Sequence, residues 1–520
     1  MMRKADKLFE RDSLAPVAWI PLLLIALLRI GTYLLAGTPG EYGIFRDELY
    51  YLACANHPAF GYVDQPPLSI FVLIIWRTLF GDSLVSLHIL PALVSAGWLT
   101  GVGLLARELG GRPAAQVLAA ALAFAGPQAW GMHGYYSMNV FDALFWIGAC
   151  LMVARLLRTG DQRYWLFIGV WLGVGLMNKI SLLWFAAGLV ISLLPSYRRR
   201  WLLRWRPYAA VGLTLILFSP YIIWQVTHDW PTLEFMRNAM RYKFVERSLA
   251  GLLGGMILEM NPLTLPLWGG GLLMLVLYRP LKDFRPLAWL FLAVLTILAI
   301  SGSAKPQYLG PAMPILLAAG AVGFQMLLNK RWRFLLPVLS LIMLLSAYLL
   351  LPFAIPVCTE TEYIALAQKA GVTPATDEKK ELGSLPQHFA DRHGWENLAR
   401  TLSTVYLSLP AGEREQCAIL VENYGQAGAV DYYRKNYPLP PVLCGHNNYY
   451  LWGPPEETPQ VVIVYGIESD DLVDEFAKVE TVAEVDNVWS MPYERHRLVR
   501  IGRQPYRTIQ SIWPELRNFD

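Results

Sequence analysis

Eleven apolar runs of about bilayer length recur between Val17 and Phe353, and nothing else in the chain restricts its fold so tightly. A helix crossing the roughly 30 Å hydrocarbon layer needs about 17–25 residues. Inside lipid each backbone N–H and C=O must be bonded within the chain, so runs of this kind are helices. They fall near 17–37, 84–106, 113–131, 138–157, 164–178, 180–195, 208–226, 249–278, 286–302, 309–328 and 334–353. The eighth is broken at Met260-Asn261-Pro262, which reads as one kinked span or as two short pieces. The first run is too long for the apolar core of a secretory signal, and the ten later spans argue that it is retained.

Charge separates these runs from the C-terminal third of the chain. Residues 1–355 carry 29 Lys+Arg and 16 Asp+Glu, whereas residues 356–520 carry 15 and 24. The density rises from about 13% to about 24% and the net charge changes from +13 to −9. The expected organisation is a membrane domain over 1–355 followed by an acidic soluble domain over 356–520.

Orientation comes from the connectors. Those at 1–16, Arg107 to Arg112, Arg155 to Arg163, Arg198 to Arg206, Arg279 to Arg285 and Lys330 to Arg333 hold 20 positive residues, and those on the other side hold 8. The positive-inside rule makes the N-terminus cytoplasmic. An odd number of spans then puts residues 356–520 outside. There an oxidising compartment would permit a disulfide among Cys358, Cys417 and Cys444. Cys417 with Cys444 leaves out the boundary residue Cys358; buried free thiols are the alternative.

The eight outer cations are Arg46, Arg77, Lys179, Arg237, Arg241, Lys243, Arg247 and Lys305. Four fall in Trp230 to Arg247, which reads as an amphipathic helix in the outer interface, touching headgroups or substrate. Lys179, in Met177-Asn178-Lys179-Ile180-Ser181, and Lys305, in Lys305-Pro306-Gln307-Tyr308, are lone cations in very short connections. Such a cation suits an anionic phosphate at membrane depth, and snorkelling to solvent is the alternative.

The first outer loop, about 38–83, is too long and patterned for a simple connector. It runs Phe45-Arg46-Asp47-Glu48-Leu49-Tyr50-Tyr51, passes His57, and continues Gly61-Tyr62-Val63-Asp64-Gln65-Pro66-Pro67-Leu68. Residues 47–56 read as a short interfacial helix and 66–80 as a surface-lying or re-entrant one. Asp47 is either that first helix's N-cap or a functional acid, since adjacent carboxylates in an apolar loop are costly unless paired. Asp142 enters the fourth span just below the outer face after Asn139 and needs a cation or metal as partner, Lys179 or Arg46 being at hand. Glu259 reads as structural, and Arg29 in the first span has no assigned partner.

These residues resemble the membrane glycosyltransferases of GT-C fold, specifically the bacterial branch of the protein O-mannosyltransferase and lipid A aminoarabinose transferase superfamily. The resemblance covers about Phe45 to Pro314. It implies a polytopic α-helical membrane protein of about 11–13 spans that moves a sugar, with inversion, from a polyprenyl-phosphate donor to a protein, lipid or glycan acceptor. It also implies catalytic roles for Asp47, Glu48 and Asp142, and donor-phosphate contacts from Arg46, Lys179, Lys305 and Tyr308. Tyr51, His57, Tyr62, Gln65 and Asn139 complete the expected site. Asp64 falls where some members hold a divalent metal ion, the one candidate cofactor. The aminoarabinose transferases carry lysine where this chain has Gln65, so a phosphate contact there must come from another cation.

The segment 356–520 reads as α/β, with helices at Glu360 to Ala370 and Trp395 to Leu407 and strands at Cys417 to Val421, Val461 to Tyr465 and His496 to Ile501. Gly425-Gln426-Ala427-Gly428-Ala429 lacks dinucleotide-loop spacing and reads as a turn opening a helix. His446-Asn447-Asn448-Tyr449-Tyr450 is either a sugar or acceptor contact or an aromatic packing cluster. Membrane lipid and the donor are the expected partners, with no nucleic acid. A lipid-linked sugar transporter or flippase is the competing class, but no paired repeat is evident. A binding protein with a degenerate site would show acids that fail to converge.

Overall fold

The computed structural model describes residues 14–302, 304–376, 378–467, 472 and 474–520. The four basic residues counted near the N-terminus, and with them its expected cytoplasmic placement, lie outside the described residues.

Each expected apolar run is helical. Six helices are long and apolar enough to span: Leu84–Glu108, Met138–Thr159, Trp205–Thr227, Arg279–Ser301, Pro306–Leu327 and Lys330–Phe353. A seventh candidate is the pair Leu249–Glu259 and Pro262–Leu277, bent by 96°. Pro262 ends the first half, and Asn261, at φ +65°, accepts the Leu263 N–H on its side chain at 3.1 Å to start the second. The four other expected spans are shorter than their apolar runs: Trp19–Leu35, Pro113–Ala125, Tyr164–Leu176 and Leu182–Leu193. Pro127, for instance, opens a separate short helix, Pro127–Met132, and so cuts the run 113–131 in two. Leu68–Phe80 has 13 residues, about 20 Å of helix, too short to span alone and in keeping with a surface or re-entrant segment.

The basic connectors meet at one end of the bundle. Glu108 receives Arg155 at 2.8 Å and Arg158 at 3.0 Å, Arg198 pairs with Asp283 at 3.3 Å, and the Arg112 N–H donates to Gln325 at 2.8 Å. Arg29 is wholly buried; it donates to Ser95 and Tyr33 and sits 4.2 Å over the Trp130 ring, so cation–π contact stabilises it within the bundle.

At the opposite end the segment after Pro356 folds around a five-stranded sheet of order β2-β1-β3-β5-β4. The strands are β1 Cys417–Val421, β2 Val442–Cys444, β3 Val461–Tyr465, β4 Phe476–Val485 and β5 Arg497–Pro505. The first three run parallel and the last two antiparallel. Helices Glu360–Ala370 and Trp395–Ser408 stand where the sequence puts them. Of the two readings left open for Cys417 and Cys444, the structure shows buried free thiols, and all five cysteines are free. In the β1–β2 register Cys444 faces Val421, which places Cys417 at the far end of its strand.

The amphipathic helix expected over Trp230 to Arg247 is shorter than that range. Pro231–Asn238 is helical, a π turn covers Ala239–Lys243, and Phe244 then pairs with Glu378 of the sheet domain. Leu233, Met236 and Met240 remain exposed on its other side.

Candidate active site

Asp47 and Glu48, two of the acids in segment 38–83, sit on the helix Arg46–Asn56. Its N-cap is Phe45, so Asp47 is not the cap. Glu48, one turn in, is 1% exposed and fully engaged: it accepts the Phe45 N–H at 3.0 Å and the Tyr136 N–H at 2.7 Å, and His88 Nε2 lies 3.3 Å away. Burial opposes its ionisation, but His88, the charge of Arg392 and the Tyr136 N–H outweigh burial and hold the carboxyl below its ordinary value. Glu48 thus ties the loop helix to two other elements and offers no oxygen to a substrate.

Asp47 differs. Its side chain is 34% exposed, Oδ1 accepts the Tyr424 hydroxyl at 3.0 Å, and Arg46 Nε is 3.5 Å away. Among the described residues Oδ2 accepts no hydrogen bond. Arg46 itself is enclosed by carboxylates, 3.5 Å from Asp391 and 4.0 Å from Glu378 as well as beside Asp47, and it donates to the Tyr493 hydroxyl at 2.8 Å. A cation so surrounded is a link to the sheet domain and a poor free anion site.

Asp64 lies beside this helix, accepting the Tyr50 hydroxyl at 3.1 Å. Burial pushes its carboxyl up to about 6, against the Tyr50 bond and the charge of Lys243, and the charge of Asp47 adds to the rise. The Tyr50 hydroxyl is also 3.1 Å from Asn448 Oδ1, and its single proton serves one acceptor at a time. Among the described residues no three His, Cys, Asp or Glu side chains are grouped so as to hold a metal ion.

A second cluster forms around Asp142 at the head of Met138–Thr159. Asp142 is buried; it accepts the Ser181 hydroxyl at 2.6 Å, and Lys179 Nζ stands 3.7 Å away. Lys179 donates to Asn139 Oδ1 at 2.6 Å and lies 5.6 Å over the Tyr308 ring, so four expected site residues meet here. Segment 135–138 joins the two clusters, since the Tyr136 N–H bonds Glu48 and the Met138 N–H donates to Tyr51 Oη at 3.0 Å.

The remaining expected residues divide. Tyr62 is buried and bonds backbone within its own loop, and exposed His57 stacks on Trp452 at 4.0 Å. Gln65 is buried, and among the described residues its side-chain amide finds no partner. Lys305 Nζ lies 4.7 Å over the Phe244 ring, and its charge acts on Glu378.

What sequence reasoning missed is the contribution of the sheet domain. Helix Tyr424–Tyr433 packs on Arg46–Asn56 through Gly425 and Gly428, where an added Cβ would come 2.5 Å from Arg46 Cγ and 2.9 Å from the Leu49 carbonyl carbon. The Gly-Gln-Ala-Gly pattern does open a helix, and its glycines set how close that helix comes. Asn448 Oδ1 accepts the Val63 N–H at 2.7 Å, and the Tyr424 ring lies 4.8 Å from that of Tyr50, tilted by 38°. The local signals, a small-residue i,i+3 pair and a polar run among aromatics, were visible without their partner.

The helical layout, the acid-bearing loop 38–83 and the sheet domain packed against it have the GT-C fold of membrane glycosyltransferases. The fold is similar to that of ArnT from Cupriavidus metallidurans bound to undecaprenyl phosphate, with TM-score 0.56, 14% identity, and coverage of 92% of this chain and 97% of that one. The apo state of the same protein gives TM-score 0.58 and 13% identity at the same coverage. Within the fold, residues 64–224 match the dolichyl-phosphate-mannose-protein mannosyltransferase family, in agreement with the superfamily resemblance carried by the loop residues. No curated protein matches the chain in sequence.

Proposed function

We propose that this protein is an inverting glycosyltransferase that takes a sugar from a polyprenyl-phosphate donor and passes it to an acceptor hydroxyl at the outer face of a bacterial inner membrane. The observation that carries the reading is the contrast among the three acids. Glu48 and Asp142 are buried and paired, while Asp47 is part-exposed with one oxygen held and the other open. Asp47 Oδ2 accepts the acceptor's proton as its oxygen attacks the anomeric carbon, and the bond to the donor phosphate breaks. Polyprenyl phosphate leaves as an anion, with Lys179, steadied by Asp142 and Asn139, as the cation that meets its developing charge. Tyr308 packs beside that cation. The undecaprenyl phosphate bound by the similar ArnT fold supports a donor of this class. The basic connectors gathered at the end opposite the sheet domain support the outward orientation.

The test is transfer by purified protein supplied with a panel of undecaprenyl-phosphate sugars and native membrane extract, with the labelled product identified. Asp47→Asn is expected to abolish product formation at normal expression and donor binding. Near-normal turnover would refute the role of Asp47.

A further inference from the structure

Most of the polar atoms that the sheet domain brings to the first outer loop meet the residues that carry or flank its acids. Tyr424 donates to Asp47 Oδ1 at 3.0 Å. Asn448 Oδ1 takes the Val63 N–H at 2.7 Å, one residue before Asp64, and shares the Tyr50 hydroxyl with Asp64. Tyr493, Asp391 and Glu378 hold Arg46, the residue before Asp47. An interface built only for cohesion would be served by apolar packing, which needs no buried hydroxyl or amide to find a partner.

The segment that presents Asn448 is itself held in an unusual conformation. Asn447 has φ +51°, a region that side-chain-bearing residues rarely adopt. It is kept there by its N–H on the Asn518 carbonyl at 2.8 Å and by neighbouring His446, 3.0 Å from the Asp520 carboxylate. The Tyr424 ring is fixed on two sides, 4.8 Å from Tyr50 and 4.8 Å from His446, with the Arg46 guanidinium 5.4 Å from its centre. Both donor and acceptor therefore arrive with little freedom left, as a group that aims another side chain requires.

We propose that the C-terminal domain completes the transfer site, with Tyr424 and Asn448 as positioning residues that hold Asp47 and the Asp64 turn in place. The proposal rests on the functional reading of Asp47 as the base. Tyr424 occupies one oxygen of Asp47 and thereby turns the other toward the acceptor; Asn448 fixes the backbone of the Asp64 turn through the Val63 N–H. Without them the loop keeps its helix, through Glu48, but its carboxylates lose their orientation.

The full-length protein in vesicles, supplied with the undecaprenyl-phosphate sugar that the wild type turns over, provides the test. Tyr424→Phe keeps the ring and removes the hydroxyl, and Asn448→Ala removes the acceptor amide. Each is expected to lower kcat about tenfold or more with the donor KM within about twofold, as loss of orientation does without loss of binding. Tyr432→Phe is the docking control, because Tyr432 lies on the same helix and donates to the Asp82 carbonyl at 3.1 Å, away from Asp47 and Asp64. It is expected to keep both constants. Wild-type kcat in Tyr424→Phe and Asn448→Ala would overturn the proposal, and so would an equal fall in all three variants with a shared drop in melting temperature. An inactive Asp47→Asn with unaffected Tyr424→Phe would defeat this inference alone, whereas an active Asp47→Asn would defeat the functional reading itself.

Discussion

Replacing Gly428 by alanine tests whether close packing of two helices sets the position of the loop acids. The added Cβ would come 2.9 Å from the Leu49 carbonyl carbon and 3.0 Å from both its oxygen and its Cβ, where ordinary contact begins at 3.4 Å. The obstacle is mostly backbone, so relief requires the helices Tyr424–Tyr433 and Arg46–Asn56 to separate by about half an ångström. Overpacking of this kind costs about 1–3 kcal/mol. Alanine's better helix propensity returns up to about 1 kcal/mol, which leaves a net loss of about 0–3 kcal/mol, about 1.5 kcal/mol at mid-range. The same separation stretches the 3.0 Å Tyr424–Asp47 bond toward the limit of hydrogen-bond geometry. Displacement of a reacting group by about an ångström costs up to about a hundredfold in rate, so a loss of about tenfold is expected. Transfer rate in vesicles and thermal unfolding followed by intrinsic fluorescence check both parts. Gly412→Ala is the control: it lies in helix Ala411–Glu415 with nothing within 4 Å of an added Cβ, and stability should hold or rise slightly. A Gly428→Ala protein with wild-type rate and melting temperature would refute the reasoning, as would an equal loss in Gly412→Ala.

Lys179→Met leaves Asp142 buried with its hydroxyl partner Ser181 and without its cation, and is expected to destabilise the protein by about 3 kcal/mol or more, read as loss of folded yield. Adding Asp142→Asn should restore the yield but not transfer; restored transfer would remove Lys179 from the donor site. The Asp64 carboxyl, raised to about 6 chiefly by burial, predicts transfer that falls as pH drops through 6 if the ionised form is required. The sign for stability is opposite: the folded value exceeds the unfolded one of about 4, so the stabilising contribution is complete below that value and is lost as pH rises through about 6. Tyr50→Phe removes a bond that lowers the Asp64 value, so the acid limb of the rate profile should move to higher pH; an unmoved limb would show that another group controls it.

The sequence carried the parts of this protein that depend on neighbours along the chain. Apolar length located the expected spans of the bundle but not the break at Pro127, and connector charge identified which ends meet, because lipid forces the backbone to bond within each run and the Glu108–Arg155 and Arg198–Asp283 pairs join residues already assigned to one side. Strands β1, β3 and β5 were legible as short β-like runs, whereas β2 is too short and β4 too exposed and charged to stand out. Asp47, Asp64, Asp142, Asn139, Lys179 and Tyr308 were nominated from composition and family resemblance. Tertiary structure decided how they divide. Glu48, adjacent to Asp47 and chemically equivalent to it, is withdrawn by His88 and the Tyr136 N–H, partners 40 and 88 residues away. Tyr424 and Asn448 reach the loop across 377 and 385 residues. No local pattern encodes such contacts, because hydrogen bonding and burial act on distances in space, and only the docked fold determines which carboxylate is left with an open oxygen.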